Sequence, residues 1–248
     1  MPRISVLMGI YNCAPTLQEA LDSLYVQTFQ DFKIILCDDG SNDDTLAIAE
    51  RNANEHPGKV TVIKNERNMG LNYTLNHCLE YADTEYCARM DGDDMSMPER
   101  FAKEIRFLDE HPKYAVVSTP MIYFDEKGDF RKGKGNGEVK TKDFVLGTPI
   151  CHAPSMSRTS VLKAVGGYSV SRKLLRVEDY HLWFKVFAAG HKLFMLDECL
   201  YKMRDDRNAI ARRDWLTRCN EAYVKHIGYK MIGLPWWYQI YSLVPILK

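Results

Sequence analysis

Short apolar segments alternate with longer amphipathic segments in the N-terminal part of the chain, and this alternation restricts the fold more than any other feature. The short segments have the length and composition of strands, and the longer ones have helical periodicity. Strands alternating with helices favour a parallel sheet covered by helices on both faces, so we expect an α/β fold. The predicted strands are residues 4–8, 32–37, 60–63 and 86–90, and the predicted helices are residues 16–27, 43–54, 71–81 and 98–110.

Beyond residue 100 the signals are less regular. We predict a strand over residues 114–124, a flexible loop rich in Gly and Lys over residues 125–142, and helices over residues 159–165 and 178–189. The loop lacks the spacing of a phosphate-binding P-loop, so we interpret it as a connection.

Length, charge and cysteine content limit the possible classes of protein. The 248 residues, 46% of them hydrophobic, suffice for one large α/β domain or one domain with an appendage. The 33 basic and 33 acidic residues give no net charge that would favour a nucleic-acid partner. The seven cysteines form no Cys-X-X-Cys pair, and a strand is predicted where a signal peptide would lie. We therefore expect a cytoplasmic protein that does not bind nucleic acid.

Acidic residues follow two of the predicted strands. Asp38 and Asp39 come directly after the second strand, and Asp91, Asp93 and Asp94 follow the fourth. Ligands of parallel sheets bind at the carboxyl ends of the strands, so these side chains are candidate functional groups. A plainer interpretation is also open, because Asp is frequent in turns and at helix N-caps.

The loop with three Asp residues is the stronger candidate for a metal site. Neighbouring carboxylates repel one another and are costly to keep ionised unless a cation lies between them. Carboxylate oxygens suit Mg²⁺ or Mn²⁺, and such an ion commonly holds a diphosphate. Asp38 and Asp39 could accept hydrogen bonds from a base or a ribose, so the two loops together indicate a nucleotide site.

Short motifs occur in a fixed order along most of the chain. They are SVLMGIYN at 5–12, LDSL at 21–24 with QTF at 27–29, DDGS at 38–41, NMGLN at 68–72, ARMDGDD at 88–94 with PER at 98–100, GGY at 166–168 and EDYHLW at 178–183. This series resembles the motifs of family 2 glycosyltransferases. The resemblance implies a GT-A fold, with a Rossmann-like nucleotide-binding half over 1–97 that holds a mostly parallel central sheet, an acceptor-binding half over 98–208, and a C-terminal helical tail over 209–248.

The resemblance also implies an activity. The expected enzyme is inverting, uses Mn²⁺ or Mg²⁺, and moves a sugar from a nucleotide-diphosphate sugar, expected to be a UDP-sugar, to a hydroxyl of a lipid-linked glycan in O-antigen or capsule synthesis. One alternative is a nucleotidyltransferase acting on sugar phosphates, but its Gly-rich loop with a basic residue is missing from residues 10–15. The other is a binding module that keeps the fold without the chemistry.

The resemblance assigns the donor site to the strand-end loops. Asp39 would contact the base, Tyr11 would line the same pocket, and Asp38 would support the loop. Asp93 would be the main metal ligand, and Asp91 would bind the metal or the ribose. The remaining residues expected at the nucleotide-sugar site are Asn12, Gly70 and Arg89.

Glu178 and Asp179 start a predicted helix, where acidic residues often interact only with the helix dipole. Inversion by a single displacement requires one base that takes the proton of the acceptor hydroxyl. The family position of this base corresponds to Asp179, and Glu178 would orient the acceptor or the base.

Two further positions are expected near the substrates. His152 lies where related enzymes carry His-Pro-Ser or His-Pro-Thr, so it would contact the acceptor or the diphosphate, although a lone His is usually structural. Arg204 departs from the Tyr-Arg-X-His that often follows the last strand in relatives. At the place of that His, Arg204 would pair with phosphate by charge and could not ligate a metal.

The C-terminal tail is basic at first and then apolar. Residues 209–225 are predicted to form a basic helix, and residues 228–248 contain an uncharged stretch that is too short and too interrupted by proline to span a membrane. Trp236, Ile240, Leu243 and Leu247 share one helical face, which suits a helix lying on anionic lipid at the inner face of the cell membrane. Packing of this face on the domain or on a second subunit is the alternative.

Overall fold

A computed structural model describes residues 2–205 and 214–247. Its strands are β1 (Ile4–Ile10), β2 (Phe32–Asp38), β3 (Val60–Lys64), β4 (Tyr86–Arg89), β5 (Met95–Ser96), β6 (Tyr114–Ser118), β7 (Met121–Asp125), β8 (Gly128–Lys132), β9 (Gly137–Glu138), β10 (Met156–Arg158), β11 (Lys192–Met195) and β12 (Tyr201–Arg204). Its α-helices are α1 (Ala14–Tyr25), α2 (Thr45–Glu55), α3 (Leu71–Glu80), α4 (Arg100–Glu110), α5 (Asp143–Leu146), α6 (Thr159–Ala164), α7 (Glu178–Ala188) and α8 (Trp215–Met231). The described 3₁₀ segments are Arg172–Leu174 and Trp236–Leu247.

The larger sheet has eight strands in the order β3-β2-β1-β4-β10-β6-β11-β9. The first four of these run parallel, so their carboxyl ends meet at one edge of the sheet. β10 is antiparallel to its neighbours β4 and β6, whereas β11 runs parallel to β6. The prediction of an α/β fold with a mostly parallel central sheet is therefore confirmed, and the loops after β2, β1 and β4 are neighbours.

Alternate side chains of the central strands pack into two hydrophobic cores, one on each face of the sheet. Val6 and Ile34 pack in the core formed with α1 and α4, whereas Leu7 and Ile35 pack in the core formed with α3 and α7. All four side chains are almost fully buried. Strands buried on both faces are continuous apolar runs, which explains why these segments showed no polar alternation in the sequence.

The predicted strand over residues 114–124 is wrong as a single element. It divides at Thr119–Pro120 into β6, in the large sheet, and β7, in a four-stranded sheet of order β5-β12-β7-β8. Proline has no N–H to donate to a ladder, so it favours a break there. The Thr119 hydroxyl instead accepts a hydrogen bond from the N–H of Leu200 at 2.9 Å. In the smaller sheet β12 pairs with β5, the strand that directly follows the loop with three Asp residues.

Residues 125–142, predicted as a loop, contain two strands. β8 forms a hairpin with β7, and β9 pairs with β11. The hairpin turn is closed by the N–H of Lys127, which donates to Asp125 Oδ1 at 2.8 Å, and by Gly128, whose φ is +103°. The strand β8 has few apolar residues, so its conformation depends on pairing with β7 and was not visible in the sequence.

The C-terminal elements also differ in part from the predicted ones. Residues 209–213 of the predicted basic helix lie outside the described residues, and α8 continues past residue 225 to Met231. The apolar segment Trp236–Leu247 is helical, in 3₁₀ turns that include Pro245. In the ranges 2–205 and 214–247, no helix is both long enough and apolar enough to cross a bilayer.

α8 packs against α7 through Gly228. A Cβ atom at this position would lie 2.3 Å from ring atoms of the fully buried Phe184. We expect Gly228→Ala to lower the free energy of unfolding by about 1–3 kcal/mol in chemical denaturation, because the ring has little room to move. The control Lys230→Ala, at an exposed position of the same helix, should change it by less than about 0.5 kcal/mol. Equal stability of Gly228→Ala and the parent protein would contradict this packing.

Candidate active site

The loop after β2 is held in shape by Asp38. Its Oδ2 accepts hydrogen bonds from the N–H groups of Gly40 and Ser41, at 3.2 and 3.1 Å. Gly40 has a φ of +74°, and a Cβ atom there would lie 2.8 Å from backbone atoms of Arg67. A side chain does not fit between the two loops, so the turn requires glycine. Asp38 is thus in the position expected of a residue that supports the loop.

Asp39 is enclosed by the segment that links β3 to α3. Its Oδ1 accepts hydrogen bonds from the side-chain amide of Asn65 at 2.7 Å and from the N–H of Met69 at 2.8 Å. Its Oδ2 accepts one from the N–H of Gly70 at 2.9 Å. The residue is almost fully buried, so these contacts fix the direction of the carboxylate. Gly70 takes part in the site through its backbone.

The loop after β1 carries Tyr11 and Asn12. The N–H of Asn12 donates to Ser41 Oγ at 3.0 Å, and its Oδ1 accepts from the N–H of Asn42 at 2.9 Å. Asn12 has a φ of +48°, a left-handed conformation that Asn tolerates. It therefore ties the first loop to the second, while the Tyr11 ring is 43% exposed at the same edge.

The loop with three Asp residues packs against the loop after β1. A Cβ atom on Gly92 would lie 2.8 Å from Cys13 Sγ, so the two loops are in close contact. The hydroxyl of Thr16 also donates to the carbonyl oxygen of Gly92 at 3.0 Å. The three strand-end loops consequently form one continuous edge.

Asp91, Asp93 and Asp94 form a compact acidic cluster, with one carboxylate oxygen of each within 4.8 Å of the others. Burial and the Asp91 charge raise the pKa of Asp93. Burial and the charges of Asp91 and Asp93 raise the pKa of Asp94 to about 8. These shifts express the cost of holding three negative charges together, which a divalent cation would remove.

The surroundings of Asp94 support the same interpretation. Its Oδ1 accepts a hydrogen bond from the N–H of Arg204 at 2.7 Å. Its buried Oδ2 makes no hydrogen bond of normal geometry with the residues that the structure describes, although the nearby Tyr201 hydroxyl acts to lower the pKa of this carboxyl group. Hard carboxylate oxygens at this spacing, one of them unsatisfied, fit Mg²⁺ or Mn²⁺.

Glu178 and Asp179 form the first turn of α7 and are half-buried. Burial and the Glu178 charge raise the pKa of Asp179 to about 6. The positive charge of Arg89 acts on both carboxyl groups in the opposite direction. Arg89 is 5% exposed and forms an ion pair with Asp91. Its guanidinium is therefore close to the acidic cluster and near enough to the carboxylates of α7 to act on them, and we call the region that holds these groups the cleft.

His152 belongs to this cleft as well. Its Nε2 lies 2.7 Å from the hydroxyl of Tyr168, and its ring lies 6.0 Å from that of Trp183, one turn after Asp179. Burial and the Arg89 charge hold the pKa of His152 well below its ordinary value. A neutral imidazole can orient a hydroxyl but adds no positive charge for a diphosphate.

Arg204 lies at the end of β12, over the acidic cluster. Its Nε donates to the carbonyl oxygen of Asp93 at 3.0 Å, and its Nη2 pairs with Glu19. The guanidinium also lies 4.6 Å from the centre of the Phe124 ring. It is a positive charge beside the candidate metal ligands, in a position to contact phosphate.

Several residues that support the site were not identified from the sequence. Asn65 fixes Asp39 and is itself held by Thr74, and Glu19 fixes Arg204. Asn65 directly follows β3, the same kind of strand-end position that identified the acidic loops, so it could have been found. Thr74 and Glu19 lie within helices and carry no local signal.

The sheet is mostly parallel, acidic side chains lie at its strand ends, Asp39 is enclosed, and two half-buried carboxylates start α7. This combination is typical of the nucleotide-dependent transferase class of enzymes. The family model "Glycosyl transferase family 2" matches residues 5–165. The putative glycosyltransferase EpsE of Bacillus subtilis is 38% identical over 248 residues, which are 100% of this chain and 89% of that protein. The amylovoran biosynthesis glycosyltransferase AmsE of Erwinia amylovora is 33% identical over 219 residues, 85% of this chain and 80% of that protein.

The chain belongs to glycosyltransferase family 2 and is an inverting glycosyltransferase. The crystal structure of S. aureus TarS 1–349 in complex with UDP has a TM-score of 0.74 and 21% identity, and the match covers 100% of this chain and 71% of that one. This similarity confirms the GT-A fold. The expectation of a sugar transferase is confirmed, and a nucleotidyltransferase no longer needs to be considered.

The acidic cluster predicts metal binding that depends on its side chains. We expect Asp93→Asn to weaken Mn²⁺ binding by at least about tenfold, because one charged oxygen ligand is lost. Electron paramagnetic resonance of free Mn²⁺ in titrations with the protein measures the affinity. The control Asp31→Asn removes an exposed carboxylate far along the sheet and should leave the affinity unchanged. Unaltered Mn²⁺ binding by Asp93→Asn would exclude this cluster as the metal site.

Proposed function

We propose that the protein transfers a sugar from a nucleotide-diphosphate sugar, of the UDP-sugar class, to a hydroxyl of a lipid-linked glycan in polysaccharide synthesis. The observation that carries the proposal is the position of Arg89, which pairs with Asp91 of the acidic cluster and whose charge acts on Asp179, while Asp39 is enclosed at the same sheet edge. Two relatives add support: the TarS complex holds UDP in the same fold, and AmsE is named for amylovoran biosynthesis. In this proposal residues 1–97 bind the donor and residues 98–208 bind the acceptor.

On the donor side, Asp39 contacts the base, and the Tyr11 ring covers it from the exposed edge. Asp93 and Asp91 would hold Mn²⁺ or Mg²⁺, and the bound ion would supply positive charge that stabilises the departing diphosphate. Arg204 adds a second positive charge beside Asp93. The contacts of the Arg204 guanidinium with Glu19 and with the Asp93 carbonyl oxygen hold it in place. It therefore needs little reorganisation when the diphosphate leaves.

On the acceptor side, Asp179 takes the proton of the attacking hydroxyl, whose oxygen bonds to the anomeric carbon of the sugar as the bond from that carbon to the diphosphate oxygen breaks. A carboxyl group with a pKa of about 6 is a stronger base than an ordinary Asp and is still ionised at neutral pH. Glu178 raises this pKa and orients the base, and His152, held by Tyr168, orients the acceptor.

Asp179 gives the sharpest test of the mechanism. We expect Asp179→Asn to lower kcat by at least about a hundredfold, because the amide cannot accept the proton, while donor binding is retained. In the parent protein kcat/KM should rise with pH through about 6 and then level off, since the base must be ionised.

Transfer from a panel of UDP-sugars to a glycan acceptor, with released UDP as the readout, measures both effects. Asp31→Asn is the control and should have parental kcat. A fully active Asp179→Asn variant would exclude Asp179 as the base. A parent protein that binds donor without any transfer would favour the catalytically silent module.

The lipid-linked acceptor is supported by the apolar surface of the C-terminal 3₁₀ segment. Trp236, Ile240 and Leu247 are 80%, 67% and 82% exposed, whereas Tyr238 packs against the hydrophobic core. The face predicted from the sequence is therefore turned away from the domain. An uncharged surface with exposed Trp and aliphatic side chains suits the headgroup region of a bilayer.

A second element lies beside this face. α5 contacts both α8 and the 3₁₀ segment, and its Leu146 is also largely exposed. Lys142 directly precedes α5, and Lys230 lies in the last turn of α8, so exposed positive charges accompany the apolar side chains. This combination favours anionic lipid, and it would bring the acceptor half to the inner face of the cell membrane.

If the C-terminal 3₁₀ segment contacts the membrane, lipid binding should weaken when its exposed apolar side chains are shortened. We expect the double variant Trp236→Ala, Leu247→Ala to bind vesicles of phosphatidylglycerol and phosphatidylethanolamine at least about tenfold more weakly, because two apolar side chains no longer enter the lipid. Co-sedimentation measures the bound fraction. The control Trp215→Ala removes an exposed Trp at the other end of α8 and should bind like the parent. Unchanged binding, together with a loss of dimers in analytical ultracentrifugation, would assign this face to a second subunit.

A further inference from the structure

We propose that Asn65 is a positioning residue that makes Asp39 selective for a base with a single hydrogen-bond donor on its recognised edge, such as uracil. This inference deepens the proposed function and rests on Asp39 as the base contact. It assigns the choice of base to a polar network behind Asp39.

The network fixes the orientation of the Asn65 side chain. Its Nδ2 donates to Asp39 Oδ1 at 2.7 Å and to Thr74 Oγ1 at 3.0 Å. The Thr74 hydroxyl itself donates to the carbonyl oxygen of Gly70 at 3.0 Å, so it must accept from Asn65. On the other side, Asn65 Oδ1 lies 2.8 Å from His77 Nδ1. Asn65 is 8% exposed, and each of its polar atoms has a partner.

This network limits how many further hydrogen bonds Asp39 can accept. A carboxylate offers about four acceptor positions, two on each oxygen. Both positions of Asp39 Oδ1 are taken, by Asn65 and by the N–H of Met69. One position of Oδ2 is taken by the N–H of Gly70. Counting the contacts of residues 2–205 and 214–247, a single acceptor position is left, on Oδ2.

One remaining acceptor position suits uracil better than guanine. The imide edge of uracil presents one N–H between two carbonyl oxygens, so it needs one acceptor. Guanine presents two adjacent donors, N1–H and the 2-amino group, which a carboxylate normally satisfies with both oxygens. In this site one guanine donor would be buried without a partner, and a site with an unpaired polar group discriminates strongly.

The inference is tested by calorimetric titration of the full-length protein with UDP, GDP and N3-methyl-UDP at a fixed Mn²⁺ concentration. We expect the parent to bind UDP at least about tenfold more tightly than either of the other two nucleotides. In Asn65→Ala, Oδ1 gains an open position and the carboxylate can turn. UDP binding should weaken by about tenfold, and the preference for UDP over GDP should narrow by a similar factor.

Two further variants keep the test decisive. Asn54→Ala removes an exposed Asn of α2 and should bind both nucleotides like the parent. Thr74→Val keeps the shape of the side chain but removes the second partner of Asn65 Nδ2, so it should narrow the preference by a smaller factor. If thermal denaturation shows that Asn65→Ala does not fold, Thr74→Val takes its place in the nucleotide titrations.

The outcomes separate this inference from the proposed function. Equal affinity of the parent for UDP and GDP, or an equal loss for both nucleotides in Asn65→Ala, would overturn the selective role of Asn65 and leave the donor site in place. A folded parent protein that binds neither nucleotide would overturn the donor site itself.

Discussion

The buried guanidinium of Arg89 links the acidic cluster to the carboxyl groups of α7, and the arrangement of the cleft depends on it. Asp91 pairs with it directly, and its charge acts on Glu178 and Asp179. The backbone of Arg89 is fixed on both sides. Its N–H donates to the carbonyl oxygen of Ser155, and its own carbonyl accepts from Arg100, each at 2.9 Å.

Arg100 in turn forms an ion pair with Glu104, and both side chains are fully buried. Burial is costly for Glu104, since it raises the pKa of this carboxyl group to about 8 despite the neighbouring guanidinium. Arg100 nevertheless connects the start of α4 to the end of β4 through its hydrogen bond to the carbonyl oxygen of Arg89. The charges of the cleft are thereby coupled to the packing of the sheet, which preorganises them before any substrate binds.

Side-chain to backbone hydrogen bonds serve the same purpose on the donor side. Asn12 joins the first two loops, Asp38 closes the second, and Asp39 is fastened to the segment before α3. Each bond satisfies a loop N–H that no strand or helix satisfies. These bonds also restrict which ligand can bind, because an acceptor position of a carboxylate that is used within the protein is no longer available to the nucleotide.

The sequence by itself determined the parallel strands, the sheet edge where the acidic loops lie and most of the candidate residues, because strand ends carrying Asp are local features and parallel strands place them together. It also identified the outward face of the tail, since helical spacing alone puts Trp236 and Ile240 on one side. It did not determine the break at Pro120, the hairpin of β8 or the partners of Asp39 and Arg204. Those depend on contacts between residues far apart in the chain, such as Arg204 with Glu19, and only tertiary packing creates them.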